Sequence, residues 1–177
     1  MQKIMFNDKF LLTQEVLKGR KTQTRRIAYT GNITNIDCAI CVEPKNFGRA
    51  TLFHGIDEIA HSRYKVGEEV AVAQAYCKLV SEAGYNEAEI NKLRCSKGWT
   101  NKMYVKADLM PHRIRITDIR AERLQDINYG DSIAEGFSFE ENGNPRNSFA
   151  DSIDHISGKD TWASNPYVFV YEFELVK

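Results

Sequence analysis

His112-Arg-Ile-Arg-Ile-Thr-Asp-Ile-Arg120 decides the fold class. Ile114 and Ile116 fall on one side of an extended chain and Arg113 and Arg115 on the other, the period-two signature of a half-buried strand. The apolar phase then slips between Ile116 and Ile119. A β-bulge absorbs such a slip by adding one residue, and the added twist suits a curved or closed sheet. Tyr167-Val-Phe-Val-Tyr-Glu-Phe-Glu-Leu175 gives a second strand, with Tyr167, Phe169, Tyr171, Phe173 and Leu175 on one face and Glu172 and Glu174 on the other. Together they predict a β-rich core.

Shorter elements surround these two strands. A strand is expected over Lys3–Phe6, followed by a helix capped by Asn7 or Asp8, carrying Leu11, Leu12, Val16 and Leu17 and ended by Gly19. Val70–Tyr76 and Met103–Lys106 read as strands and Asn86–Arg94 as a helix. Asp131 can cap a short helix over Ser132–Glu135 that Gly136 stops, and a further helix is expected from about Asn147 to Ile156. Residues 29–62 are rich in Gly, Asn, Thr and Asp and form a loop-rich excursion with one short strand near Ala50–Phe53. The class is α+β, and 177 residues suffice for one domain over 1–177 with one sizeable core.

The formal charge is zero. It hides a gradient, because residues 1–27 carry +5 and residues 108–177 carry −6. A protein that coats nucleic acid without specificity shows basic excess over a whole face, so this balance favours a small anionic ligand or a short contact. No apolar run approaches the roughly 18 residues of a membrane span, and the first residues lack a signal-peptide core. A cytoplasmic protein with Cys38, Cys41, Cys77 and Cys95 as reduced thiols is the expectation.

The basic excess concentrates in Lys18-Gly-Arg-Lys-Thr-Gln-Thr-Arg-Arg26, just after the first expected helix. Threonine becomes a useful nucleophile only beside a base, and lysine serves as one when desolvation or nearby cations lower its pKa. Arg20, Arg25 and Arg26 supply such a field, but they equally suit a phosphate or a solvated basic edge. In a regular strand Lys21 and Thr24 face opposite sides, so a shared site requires a turn after Gly19.

Four segments in this order carry a resemblance: Gly19-Arg-Lys-Thr-Gln-Thr-Arg-Arg26, Tyr64-Lys-Val-Gly-Glu-Glu69, Arg123-Leu-Gln-Asp-Ile127 leading into Ala134-Glu-Gly-Phe137, and Asn165-Pro-Tyr-Val-Phe-Val-Tyr-Glu-Phe-Glu174. Outside residues 29–62 the chain resembles the ASCH family of the PUA-like superfamily, in its phage and bacterial branch. The resemblance implies a small mixed β-barrel flanked by short helices, with a cleft for modified nucleosides or single-stranded RNA.

The family signature G-x-K-x-x-E-x-R falls on Gly19, Lys21, Thr24 and Arg26, with Thr24 in place of the glutamate. Members with G-x-K-T-x-T hydrolyse the acetyl amide of N4-acetylcytidine through lysine, threonine and glutamate. That pattern places the catalytic roles on Lys21 as base or carbonyl ligand, Thr24 as nucleophile or orienting hydroxyl, and Glu135 as proton shuttle. Gly19 permits the turn, Arg26 clamps an anion, and Arg20 and Arg25 are secondary. Relatives often carry Arg-Glu where this chain has Ala73-Gln74. No cofactor or metal is implied.

Two other classes remain open: a noncatalytic RNA-binding module using the same cations, and a single-strand ribonuclease with Lys21 and Glu135 as acid and base. Trp162, in the loop before Asn165-Pro166, is the aromatic placed to contact a ligand. Arg113, Arg115, Arg120 and Arg123 form either an RNA track or a solvated strand face. Cys38-x2-Cys41, then His54 and His61, approaches a zinc spacing, but the histidine gap is one residue too wide. The sequence carries no signature of an oligomeric state.

Overall fold

The computed structural model describes residues 1–28, 39–42, 48–54, 57–80, 84–138 and 143–176, with backbone alone at 39–42 and 54. Two sheets emerge. The larger joins β1 (Gln2–Ile4), β6 (Glu69–Val72), β7 (Arg113–Arg123), β8 (Tyr167–Val176) and β2 (Gln23–Ile27), in that order. β1 runs parallel to β6 and every other pairing is antiparallel. The smaller sheet, β3 (Ala39–Val42), β4 (Thr51–His54) and β5 (Asp57–His61), is antiparallel and accounts for much of the excursion. The expected strand near Ala50–Phe53 is its centre. Six helices among the described residues complete an α+β fold: α1 (Leu12–Leu17), α2 (Tyr76–Leu79), α3 (Glu87–Arg94), α4 (Tyr129–Ala134), α5 (Pro145–Ser157) and α6 (Thr161–Ser164).

The β7–β8 ladder is the spine. Its register passes from Ile116 opposite Phe173 to Asp118 opposite Glu172, so one extra residue on β7 sits where the apolar phase slips. Ile119 thereby rejoins the face of Ile114 and Ile116, and all three are buried. β8 buries both faces, Val168 and Val170 as well as Phe169, Tyr171 and Phe173. A strand covered on both sides reads as an apolar run, and here only its outer end keeps the alternation with Glu174 exposed.

Several elements differ from expectation. β6 ends at Val72, where its pairing with β1 stops, and Tyr76 already opens α2 with its amide bonded to the Gly98 carbonyl. Met103–Lys106 is not a strand. Lys102–Tyr104 and Ala107–Leu109 are 3-10 turns, the first capped by the Asn101 side chain on the Met103 amide. Neither Asn7 nor Asp8 caps α1: residues 8–11 form a turn, with Leu11 left-handed at φ 56°, and the Leu12 amide reaches the Asn7 carbonyl. α4 starts earlier than expected because Asn128, not Asp131, caps it. α3 carries a full capping box between Asn86 and Glu89.

On the outer face of β7, Arg115 pairs with Glu69 at 2.9 Å and Glu174 at 3.4 Å. Arg120 pairs with Glu122, Asp131 and Glu172. These arginines are a solvated, carboxylate-paired strand face. Among the described residues no helix is long and apolar enough to cross a membrane.

Candidate active site

Two short helices end in the same way and deliver the two central side chains. At the end of α1 the Gly19 amide bonds the Val16 carbonyl and the Arg20 amide bonds that of Glu15, with Gly19 at φ +73°. At the end of α4 the Gly136 amide bonds Ile133 and the Phe137 amide bonds Ser132, with Gly136 at φ +95°. Both are Schellman terminations, which turn the chain sharply while satisfying the last carbonyls. The exits are stitched together, since the Thr22 amide donates to the Ala134 carbonyl at 2.9 Å. They also touch: a Cβ on Gly136 would lie 3.3 Å from the Cβ atoms of Lys21 and Glu15.

Lys21 therefore precedes β2, which begins only at Gln23, and the alternation that would separate Lys21 from Thr24 does not apply. Its ammonium is buried, with the residue 1% exposed. It donates to the Gln23 carbonyl (2.7 Å), the Glu135 carbonyl (2.7 Å) and Glu135 Oε2 (2.6 Å). Burial pushes the Lys21 amine below its ordinary value, against the opposing pull of Glu135 and with help from Arg26 and Arg25.

Glu135, 3% exposed, accepts Arg25 on its other oxygen at 3.2 Å. Arg25 is fully committed to the protein. It also bonds Glu122 (2.6 Å), Asp131 (3.0 Å) and the Gln23 side chain (2.7 Å), and its guanidinium faces the Phe149 ring. Its place is behind the carboxylate, which it holds.

Lys21, Thr24, Arg25, Arg26 and Glu135 all line one cleft of about 760 Å³. Phe6, Phe137, Phe149 and Ile153 supply apolar wall, and Lys102 and Asp8 line the cleft as well. Thr24 is buried, 4% exposed, and its hydroxyl makes no hydrogen bond among the described residues. Arg26 donates to the Met5 carbonyl at 2.6 Å and lies over the Phe6 ring.

The other candidates lie elsewhere. Gly19 is a backbone device and does not line the cleft. Arg20 is exposed and forked onto Glu15. Trp162 packs edge-on against Phe149, has Arg146 over its ring at 4.9 Å and is not among the residues that line the cleft.

Cys38 and the side chains of Cys41 and His54 fall outside the described residues, while His61 contacts Thr51 and Glu58. Among the described residues no group of three or more His, Cys, Asp or Glu is placed to hold a metal ion. Cys77 and Cys95 are free, exposed thiols.

Sequence reasoning missed the Arg25 cage and the Asp8–Lys102 pair. Lys102 donates to Asp8 at 2.7 Å and to the Phe6 carbonyl, contacts spanning more than ninety residues, and no local pattern announces them. No protein-family model, no curated protein and no solved structure matches this chain.

Proposed function

We propose that this chain is an ASCH-type, PUA-like protein that takes a modified nucleoside, or the single-stranded end of an RNA, into the cleft and hydrolyses an acetyl amide like that of N4-acetylcytidine. The observation that carries the reading is a buried lysine within 2.6 Å of a buried carboxylate, in a cleft that also presents a threonine hydroxyl. The bond from Arg26 to Met5, linking the outer strand β2 to the residue after β1, supports a sheet rolled in the PUA-like manner.

At rest Lys21 gives all three ammonium hydrogens to oxygens and has no lone pair. Passing one proton to Glu135 Oε2 leaves a neutral amine and a carboxylic acid, an exchange that burial favours. The amine then takes the Thr24 proton as the hydroxyl oxygen adds to the acetyl carbon. Glu135 returns its proton to the exocyclic nitrogen as the C–N bond breaks, and the base leaves as the amine. Water then adds to the threonine ester, one of its hydrogens passes to the departing Thr24 oxygen, and acetic acid leaves and gives up its proton to solvent. Arg25 holds the carboxylate throughout.

The test uses Thr24→Val, which keeps the buried shape, and Thr24→Ser, which keeps the hydroxyl. Release of cytidine from N4-acetylcytidine should fall by about 10²–10⁴-fold in the valine variant and largely survive in the serine variant. Equal turnover by wild type and Thr24→Val overturns the mechanism. A noncatalytic RNA-binding module is the second reading, favoured by the saturation of Lys21 by protein oxygens. It requires that wild type leave acetylcytidine intact while binding single-stranded RNA with a steep salt dependence.

A further inference from the structure

A second cavity, of about 350 Å³, adjoins the cleft and shares Met5, Arg26 and Ile27 with it. Its other walls include Lys3, Arg63, Tyr64 and Tyr171. Arg26 is thus a partition with one space on either side. On the cleft side lie Lys21, Thr24 and Glu135; on the far side lies a lining with two arginines and a lysine and, among the described residues, no carboxylate.

The two guanidinia here lack the carboxylate partners that hold the arginines around the cleft and on the outer face of β7, a property they share with Arg94 and Arg146 among the described residues. Arg25, Arg115 and Arg120 each meet two or more carboxylates, whereas neither Arg26 nor Arg63 meets one among the described residues. Arg63 lies over the Tyr64 ring at 5.5 Å, and its backbone amide donates to the Tyr171 hydroxyl at 2.8 Å, so its position is fixed although its charge is not neutralised. The two cations converge: burial raises the Tyr64 hydroxyl, and both Arg63 and Arg26 pull it back down. Lys3 also lines the cavity, its ammonium held by the Met103 and Val105 carbonyls. His61 at the rim is occupied by Thr51 and Glu58.

We infer that this second cavity is a phosphate subsite, and that the ligand is a nucleotide whose base occupies the large cleft while its phosphate passes Arg26 to lie between Arg26 and Arg63. The inference rests on the cleft being a nucleoside site. Guanidinium forks suit phosphate oxygens, and two of them without internal carboxylates leave an uncompensated positive field beside an otherwise balanced protein. A phosphate monoester and a phosphodiester within a strand present the same chemistry to this wall.

Calorimetric titration of wild type and Arg63→Gln with cytidine, cytidine 3′- and 5′-monophosphate, a cytidine-containing dinucleotide and ribose 5-phosphate separates the possibilities. Arg63 is exposed, so its substitution leaves the core intact. Wild type should bind a monophosphate about tenfold or more tightly than cytidine, with the ratio shrinking in Arg63→Gln and in high salt. A dinucleotide that matches the monophosphate supports the subsite and assigns it to a strand; a dinucleotide that binds no better than cytidine, beside a tight monophosphate, supports it for a free nucleotide. Ribose 5-phosphate binding as well as the nucleotides, with the same loss in Arg63→Gln, supports the subsite while removing the nucleoside reading of the cleft. Equal affinity for cytidine and its monophosphates, or a ratio untouched by Arg63→Gln, overturns the subsite and leaves the cleft reading standing.

Discussion

Glu135 serves two buried cations at once, Lys21 on one oxygen and Arg25 on the other. Glu135→Ala leaves the buried Lys21 ammonium without its carboxylate while Arg25 keeps Glu122 and Asp131, and breaking a buried pair from one side costs about 3–5 kcal/mol. Urea denaturation should show that loss, while Lys21→Met combined with Glu135→Gln should cost less than the two single changes added together. Gly136→Ala tests the helix exits: φ of +95° and two Cβ atoms at 3.3 Å leave no relaxed place for a methyl group. A loss of about 1–3 kcal/mol is expected in the same assay, larger than for Gly84→Ala, whose surroundings are open. Lys21, Thr24 and Glu135 were named from the resemblance, and the structure brings all three to one cleft. Arg25 was legible only as a cation, since its partners Glu122, Asp131 and Glu135 lie about a hundred residues away and decide that it faces the protein and not a ligand.

β7 could be read from its alternation, which survives wherever one face is wet, with the slip at Ile116 locating the bulge, and β8 from an apolar run that alternates only at its outer end. α3 was equally plain for another reason: none of its residues is buried, so its signal is entirely its capping box and charged turns. Asn86→Ala should therefore fray it by about 0.5–2 kcal/mol, seen as faster amide exchange over residues 90–94 with little change in global unfolding. Met103–Lys106 misled because a Tyr-Val pair carries strand propensity, whereas the Asn101 cap and the Lys102 contacts to Asp8 and Phe6 hold the segment in turns. The helical start after Asp8 was displaced similarly, since the Asp8 carboxylate is taken by Lys102 and Thr13.

Across the whole molecule, Asp8 ties the N-terminal segment to Lys78 and Lys102. Burial alone would raise its carboxyl, but hydrogen bonds from Lys102, Thr13 and Lys78 bring it below the ordinary 3.8. A lowered carboxyl stabilises the fold above its unfolded value, and that contribution is lost as pH falls through the folded one. Asp8→Asn should therefore be less stable than wild type near neutrality, with the gap in urea midpoint closing once the pH drops well below 3.8. Lys21 has the same slope in a higher pH window, although burial makes its charge a cost that is relieved as pH rises. Its amine is lowered from 10.5, so between the folded value and 10.5 the unfolded chain binds more protons and stability rises with pH.

Among the described residues β2 finds its only neighbour in the large sheet in β8, with Gln23 reaching Glu172 across 149 residues of sequence. On the ribosome, β2 is thus made well before β8 and must stay without that strand partner until residues 168–172 have emerged. Such distant closure slows folding and exposes a bare strand in the nascent chain meanwhile. Stalling translation ahead of Tyr167 should yield a product that proteases cut within residues 20–28, a vulnerability that vanishes once the final strand docks.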